Sequence, residues 1–250
     1  MPEVTLAIDD NGVALITLDA PDRRNAMNLP MVEEIVAIVE RCVADDAVGA
    51  LVVTGAGKGF CAGAELGHLA GSTGAQESRG VRSVYDGFLT FANCPKPTLA
   101  AVNGAAVGAG MNLALACDVR IASTHAKFIT RFLDLGLHPG GGHTWMLQRI
   151  VGPQAARAAV LFGQEWNGEA AVRVGLAYEC VEADQLVPRA LEMAARAASA
   201  PRELSVRTKA TMRAVVDMES ISDAVEAELE VQAWSLQQPE FKERIAKFQK

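Results

Sequence analysis

Two stretches of this 250-residue chain are built alike, and they constrain its fold more than any other feature. Residues 52–66, VVTGAGKGFCAGAEL, and residues 99–115, LAAVNGAAVGAGMNLAL, each run from a strand-like apolar segment through a glycine–alanine turn into a helix start. Side chains this small allow another backbone or a ligand to approach the chain closely. The first N–H groups of a helix also lack partners within it and attract partial negative charge. Close packing of strand on helix would require the same small residues at a single turn. Two such turns in one chain favour a pair of backbone donors. Asn112 is the one polar side chain in the apolar helix that follows the second turn.

The remaining pattern supplies the frame. VTLAI and VALITL, separated by DDNG, read as a hairpin. PMVEEIVAIVERCV places Val32, Ile35, Val36, Val39 and Val43 on one helix face. GALVVTG, PTLAAV and DVRIAS read as strands, VRSVYDGFLTFANC as a helix, and GSTGAQESRG as a polar loop. Strand and helix alternate to about residue 180, which predicts an α/β fold with parallel strands. From ADQLVPRALEMAARAASA onward the pattern is helical, with Pro201 as a break. The chain therefore divides into a body, residues 1–195, and a helical region, residues 196–250. Val225, Leu229, Ala233 and Leu236 form a stripe in the latter that suits subunit assembly.

Composition narrows the chemistry. Half the residues are apolar but only 5% are aromatic, so the core is built from Ala, Val, Leu and Ile. A net charge of −7 argues against nucleic acid or an anionic membrane as partner. Cys42, Cys61, Cys94, Cys117 and Cys180 are odd in number and include no CxxC pair, which suits small core residues in a reducing compartment. No cluster has metal-ligand spacing, so no metal site is expected. The opening MPEVTLAIDD lacks a secretory pattern and the apolar runs are too short to span a bilayer, so a cytoplasmic protein is expected. GKGFCA fits a loose dinucleotide fingerprint but lacks its ribose-binding acid, and TGAGKGF has a lysine without Walker spacing.

PDRRNAMN, GFCAGAEL, AAVNGAAVGAGMNLALACDVRIAS, LGLHPGGG and AVRVGLAYECV, in this order and spacing, resemble the crotonase superfamily, the enoyl-CoA hydratase/isomerase group. The resemblance runs from about residue 4 to the C-terminus. It implies a crotonase-like ββα spiral that binds acyl-CoA, followed by a C-terminal helical trimerisation region, assembled as a homotrimer or homohexamer. It implies a coenzyme A thioester as ligand, with no cofactor beyond the coenzyme A of the substrate. It further implies that the N–H groups of Ala64 and Ala109 hold the thioester oxygen. Ala62, Glu65 and Leu66 would line the path of the coenzyme, and Arg24 would stand near its entrance.

The resemblance breaks at the acid–base positions. Family hydratases carry two glutamates; the corresponding positions here are Asn112, three residues after Ala109, and Phe132, four before Gly136. The aspartate of some isomerases falls at Gly140. An amide orients water but does not take its proton at neutral pH, and phenylalanine does neither. His138, with an ordinary pKa of about 6.5, is the expected general acid–base group, with Asn112 holding water. Phe132 would line the acyl pocket. His143 and Asp134 are further candidates; Arg131 would pair with Asp134 or face the acyl group. Tyr85 and Glu65 would approach the acyl end, and His68 and His125 belong to surface loops. The expected activity is that of an enoyl-CoA hydratase/isomerase-type enzyme with divergent acid–base residues. Isomerisation, thioester hydrolysis, decarboxylation and non-catalytic acyl-CoA binding are the alternatives.

Overall fold

The computed structural model describes residues 2–65 and 75–248. The hairpin forms as the sequence suggests, with β1 (Val4–Ile8) antiparallel to β2 (Val13–Leu18). The Asp9 carboxylate closes its turn by accepting the N–H groups of Asn11 and Val13. Helix α1 (Leu29–Ala44) starts at Asn28, whose side chain accepts the Met31 N–H, and Pro30 costs the first turn nothing. It buries Met31, Val32, Ile35, Val39 and Cys42; the predicted stripe is rotated slightly, leaving Val36 and Val43 half-buried.

The chain then winds in repeating units of two strands and a helix. The first is β3 (Ala50–Gly55), β4 (Gly59–Cys61) and α2 (Ala75–Asn93). The second is β5 (Thr98–Val102), β6 (Ala105–Val107) and α3 (Ala109–Ala116). The third is β7 (Val119–Ser123), β8 (Lys127–Ile129) and α4 (His143–Phe162), which kinks at Gly152 and Pro153. Then follow β9 (Trp166–Asn167), α5 (Gly168–Arg173), β10 (Glu179–Val181) and α6 (Leu186–Ala198). One strand of each unit joins a six-stranded sheet, β1-β2-β3-β5-β7-β10; the other joins a four-stranded sheet, β4-β6-β8-β9. Pairing is parallel except for β1 with β2 and β8 with β9.

Both faces of the larger sheet are covered, which is why β3 is buried along its whole length. Val13, Ala50, Val52, Leu99 and Ile121 pack beneath Leu186, Ala190 and Ala194 of α6. Ile16, Leu51, Val53 and Ala100 face the main core with Phe60, Phe88, Phe91, Met111 and Leu113. The polar loop expected at residues 71–80 is corrected in part: Ala75–Gly80 is the first stretch of α2, and residues 71–74 lie outside the described residues. Polarity reports exposure, and Ala, Gln, Glu and Arg are good helix formers.

Beyond α6 come α7 (Arg202–Val215), α8 (Ile221–Leu236) and α9 (Pro239–Phe248). Lys209 ties α7 to the body: its buried ammonium donates to the Lys96 carbonyl and the Asp118 carboxylate. Val225, Leu229 and Leu236 of α8 are exposed in the single chain.

Candidate active site

The two glycine turns lie against each other. The first is fixed by two asparagines. Asn25, fully buried at φ +57°, accepts the Ala20 N–H through Oδ1 and donates through Nδ2 to the carbonyls of Ala56 and Gly59. Asn103 accepts the Gly55 N–H and donates to the carbonyls of Gly57 and Gly59. After β4, the Ala62 N–H donates to the Arg24 carbonyl at 3.0 Å. The Met27 N–H then donates to Gly63 O at 2.7 Å, and the Glu65 N–H donates to Met27 O at 2.9 Å. This parallel bridge uses the peptide groups on either side of Ala64, so the Ala64 N–H points the opposite way.

The second turn sits on that opposite side. Gly108, at φ +51° and ψ −112°, adopts a conformation open to glycine, and α3 starts immediately after it. The Ala109 N–H therefore belongs to the first turn of a helix and has no partner within it. A Cβ on Gly63 would stand 2.9 Å from Val107 O and 3.8 Å from Ala109 N; one on Gly110 would collide with the Cys61 carbonyl. Glycines 63 and 110 thus let the turns touch. Ala64 and Ala109 are half-buried, and among the described residues neither N–H donates to a backbone carbonyl. At the far end of α3, the half-buried Arg120 guanidinium donates to the carbonyls of Cys117 and Leu176 and satisfies the helix C-terminus.

Asn112 is buried one turn along α3 from Ala109. Its Nδ2 donates to Gly140 O at 3.0 Å, and its Oδ1 accepts from His143 Nδ1 at 2.7 Å. A carboxylate could not serve both partners, because it has no N–H to give Gly140. The two bonds also fix the imidazole: the proton is on Nδ1, and Nε2 carries a bare lone pair. That Nε2 is buried and has no hydrogen-bond partner among the described residues. Burial pushes the His143 pKa down to about 4, so the ring is neutral at pH 7. The Phe132 ring meets it edge-on at 4.9 Å between centroids. Phe132 Cζ also lies 3.9 Å from where a Gly108 Cβ would stand. The Tyr85 hydroxyl packs directly on Gly140.

Of the residues singled out in the sequence, Ala64, Ala109, Asn112 and Phe132 come together around the second turn. His138 does not join them through hydrogen bonds: it is exposed on its loop, and its Nδ1 donates to the neighbouring Pro139 carbonyl. His143 makes the contact with Asn112. Arg131 pairs with Asp134 and Glu165 at the surface. Glu65 pairs with Arg23, which also binds Glu3. Arg24 is exposed beside Ala62, and His125 is exposed. Leu66 and His68 lie outside the described residues. Among the described residues no cluster of His, Cys, Asp and Glu could hold a metal ion, and no helix is long and apolar enough to cross a membrane. Sequence reasoning missed Asn25, Asn103 and Arg120; for Asn103 and Arg120 the one available signal was a polar residue embedded between small or apolar neighbours.

Two sheets wound in ββα turns, with adjoining glycine turns at a buried helix N-terminus, define the crotonase class of fold. The chain belongs to the enoyl-CoA hydratase/isomerase family, whose profile, Enoyl-CoA hydratase/isomerase, matches residues 9–250. It is 53% identical over 248 residues to the probable enoyl-CoA hydratase EchA14 of Mycobacterium tuberculosis, covering 97% of this chain and 96% of that protein. It is 36% identical over 205 residues to the 1,2-epoxyphenylacetyl-CoA isomerase of Escherichia coli, covering 80% and 78%. The crystal structure of an enoyl-CoA hydratase from Bacillus anthracis superposes with a TM-score of 0.93 at 26% identity, covering 99% of this chain and 96% of that one.

Proposed function

We propose that the protein binds an acyl-CoA thioester with its carbonyl oxygen between the N–H groups of Ala64 and Ala109, and turns it over through an enolate held there. The observation that carries this reading is the contact between the two turns, each of which leaves one N–H outside its own backbone pairing. Preorganised donors at a developing oxyanion contribute about 2.7–4 kcal/mol each, a factor of roughly 10²–10³. The coenzyme runs past Arg24 and along Ala62, Glu65 and Leu66, and the acyl chain lies beside Phe132. Hydration by a pair of carboxylates has no support, because the two family positions hold Asn112 and Phe132. The Asn112 amide is already committed to Gly140 and His143 rather than to a water. The printed activities of the relatives, an enoyl-CoA hydratase and a CoA-thioester isomerase, agree with a thioester substrate. The exposed apolar stripe on α8 supports assembly of the cytoplasmic protein as a trimer or hexamer through residues 196–250.

The test is a panel of saturated, 2-enoyl and 3-enoyl CoA thioesters, with binding measured by calorimetry and products by mass and absorbance. Ala109→Val keeps the N–H and crowds the place of the oxygen; a folded variant is expected to lose at least tenfold in both affinity and turnover. Unchanged values would remove Ala109 from the site. Binding without any product would make the protein a non-catalytic acyl-CoA binder.

A further inference from the structure

Helices α7, α8 and α9 are joined to the body by charge rather than by an apolar core. Across residues 202–247 the only buried residue is Lys209. The preceding helix, α6, docks by burying Leu186, Ala190 and Ala194 against the larger sheet. On α7 the corresponding face is basic. Arg202, Lys209 and Arg213 are seven and four residues apart, a spacing that puts all three on one side of the helix. Arg202 Nη2 donates to Asp46 O at 2.9 Å. Lys209 Nζ donates to Lys96 O at 2.7 Å and to the Asp118 carboxylate. Arg213 Nη2 donates to Cys94 O at 3.3 Å and stands 3.7 Å from an Asp118 oxygen. Just past the helix, Asp217 pairs with Arg149 of α4 at 2.8 Å.

This seat is costly to occupy. Arg202 Nε is buried with no partner among the described residues. Burial, and then the nearby Arg202 guanidinium, push the Lys96 pKa below its ordinary value, so docking sets one cation against another. Leaving the seat uncovers little apolar surface, since no apolar side chain of α7 or α8 is buried. Relative motion is the default between parts whose interface is neither large nor apolar. The three helices hold one another more closely. The Arg207 guanidinium lies 4.2 Å from the centre of a Trp234 ring, and Leu204, Trp234, Phe241 and Ile245 line a shared cavity of about 310 Å³. Arg244 of α9 donates to the carbonyl of Ser199, in the link between α6 and α7.

We propose that α7–α9 form a hinged arm, turning about residues 199–201, that opens as one unit while the body stays folded. Arg202, Lys209 and Arg213 are its latch, and ionic strength sets the latched fraction. The pairs of Arg213 with Asp118 and of Arg149 with Asp217 are partly exposed, which is where salt screens charge. The exposed apolar stripe of α8 travels with the arm, so the latch decides where that stripe stands relative to the body.

The experiment is hydrogen exchange of the full-length protein in its native assembly, read by mass spectrometry. Amides of α7–α9 are expected to share one opening, populated at least about tenfold more than that of α6 or β5. Raising salt from about 0.05 M to about 0.5 M is expected to speed exchange across the arm about threefold, with α6 and β5 changing less than about twofold. Lys209→Gln removes the ammonium and is expected to speed exchange across all three helices about tenfold, again sparing α6 and β5. If Lys209→Gln does not fold, the wild-type salt series still decides. An arm as well protected as α6 at both salt concentrations overturns the proposal. Arm exchange that is indifferent to salt overturns it too. So does a Lys209→Gln protein in which α6 and β5 lose protection together with the arm, or in which the three arm helices respond separately.

Discussion

The two glycine turns treat their buried polar side chains in opposite ways. At the first, Asn25 and Asn103 are fully engaged: each amide accepts one N–H and donates to carbonyls of the 55–60 segment. At the second, Asn112 is engaged just as completely, but among the described residues its partner His143 leaves Nε2 unmatched. A satisfied amide holds a loop in place. An orphaned acceptor beside it lowers stability, and such a group persists where chemistry needs it.

The sharpest way to break this contrast is to remove the amide of the first turn. Asn25→Leu strands a buried N–H and at least two carbonyls, and is expected to destabilise the protein by about 3 kcal/mol or more in urea unfolding. A change below about 1 kcal/mol would mean that the clamp is not what holds the turn. Next is the pH dependence set by His143. Its folded-state pKa of about 4 lies below the ordinary value of about 6.5, so the unfolded chain binds the extra proton between these limits. Stability contributed by the neutral ring is full above pH 6.5 and is lost as pH falls towards 4, by on the order of 3 kcal/mol. The comparison of wild type with His143→Gln isolates this from carboxylate titration. Equal slopes for the two proteins over pH 4–6.5 would show that the imidazole is not buried neutral.

Gly110→Ala tests the contact between the turns. The added methyl overlaps the Cys61 carbonyl, so α3 must shift. A loss of about 1–3 kcal/mol in stability is expected, with acyl-CoA affinity falling alongside it. Retained affinity would separate the donor pair from the close approach of the turns. The smallest effect lies farthest from both. Leu229→Glu, on the exposed stripe of α8, is expected to shift light scattering from trimer or hexamer towards monomer, with little change in the folding of the body. An unchanged assembly would place the interface elsewhere.

Much of this was legible in the sequence for physical reasons. Alternating strand and helix periods, the α1 stripe and the paired glycine turns are local signals, and all appear in the structure. Asn112 and Phe132 follow from the family resemblance, by counting from its motifs to the positions of the hydratase glutamates. Which histidine meets Asn112 was not legible, because His138 and His143 flank the same glycines. The left-handed turns at Gly141 and Gly142 decide it by bringing the start of α4 to the amide. Asn25 and Arg120 escaped notice because a polar side chain satisfied by distant carbonyls carries no periodicity. Glu65 was read by position along the coenzyme path, whereas its ion pair with Arg23 depends on how two loops meet.

The central claim is that two backbone N–H groups polarise a thioester carbonyl, and it is tested most directly on the bound carbonyl itself. Isotope-edited infrared spectroscopy of hexanoyl-CoA labelled with ¹³C at the thioester carbon reports that bond in the complex without requiring turnover. The account predicts a carbonyl band shifted to lower frequency than in free ligand, and a smaller shift in Ala109→Val. A bound carbonyl at the free-ligand frequency, with the ligand demonstrably in the site, would contradict it.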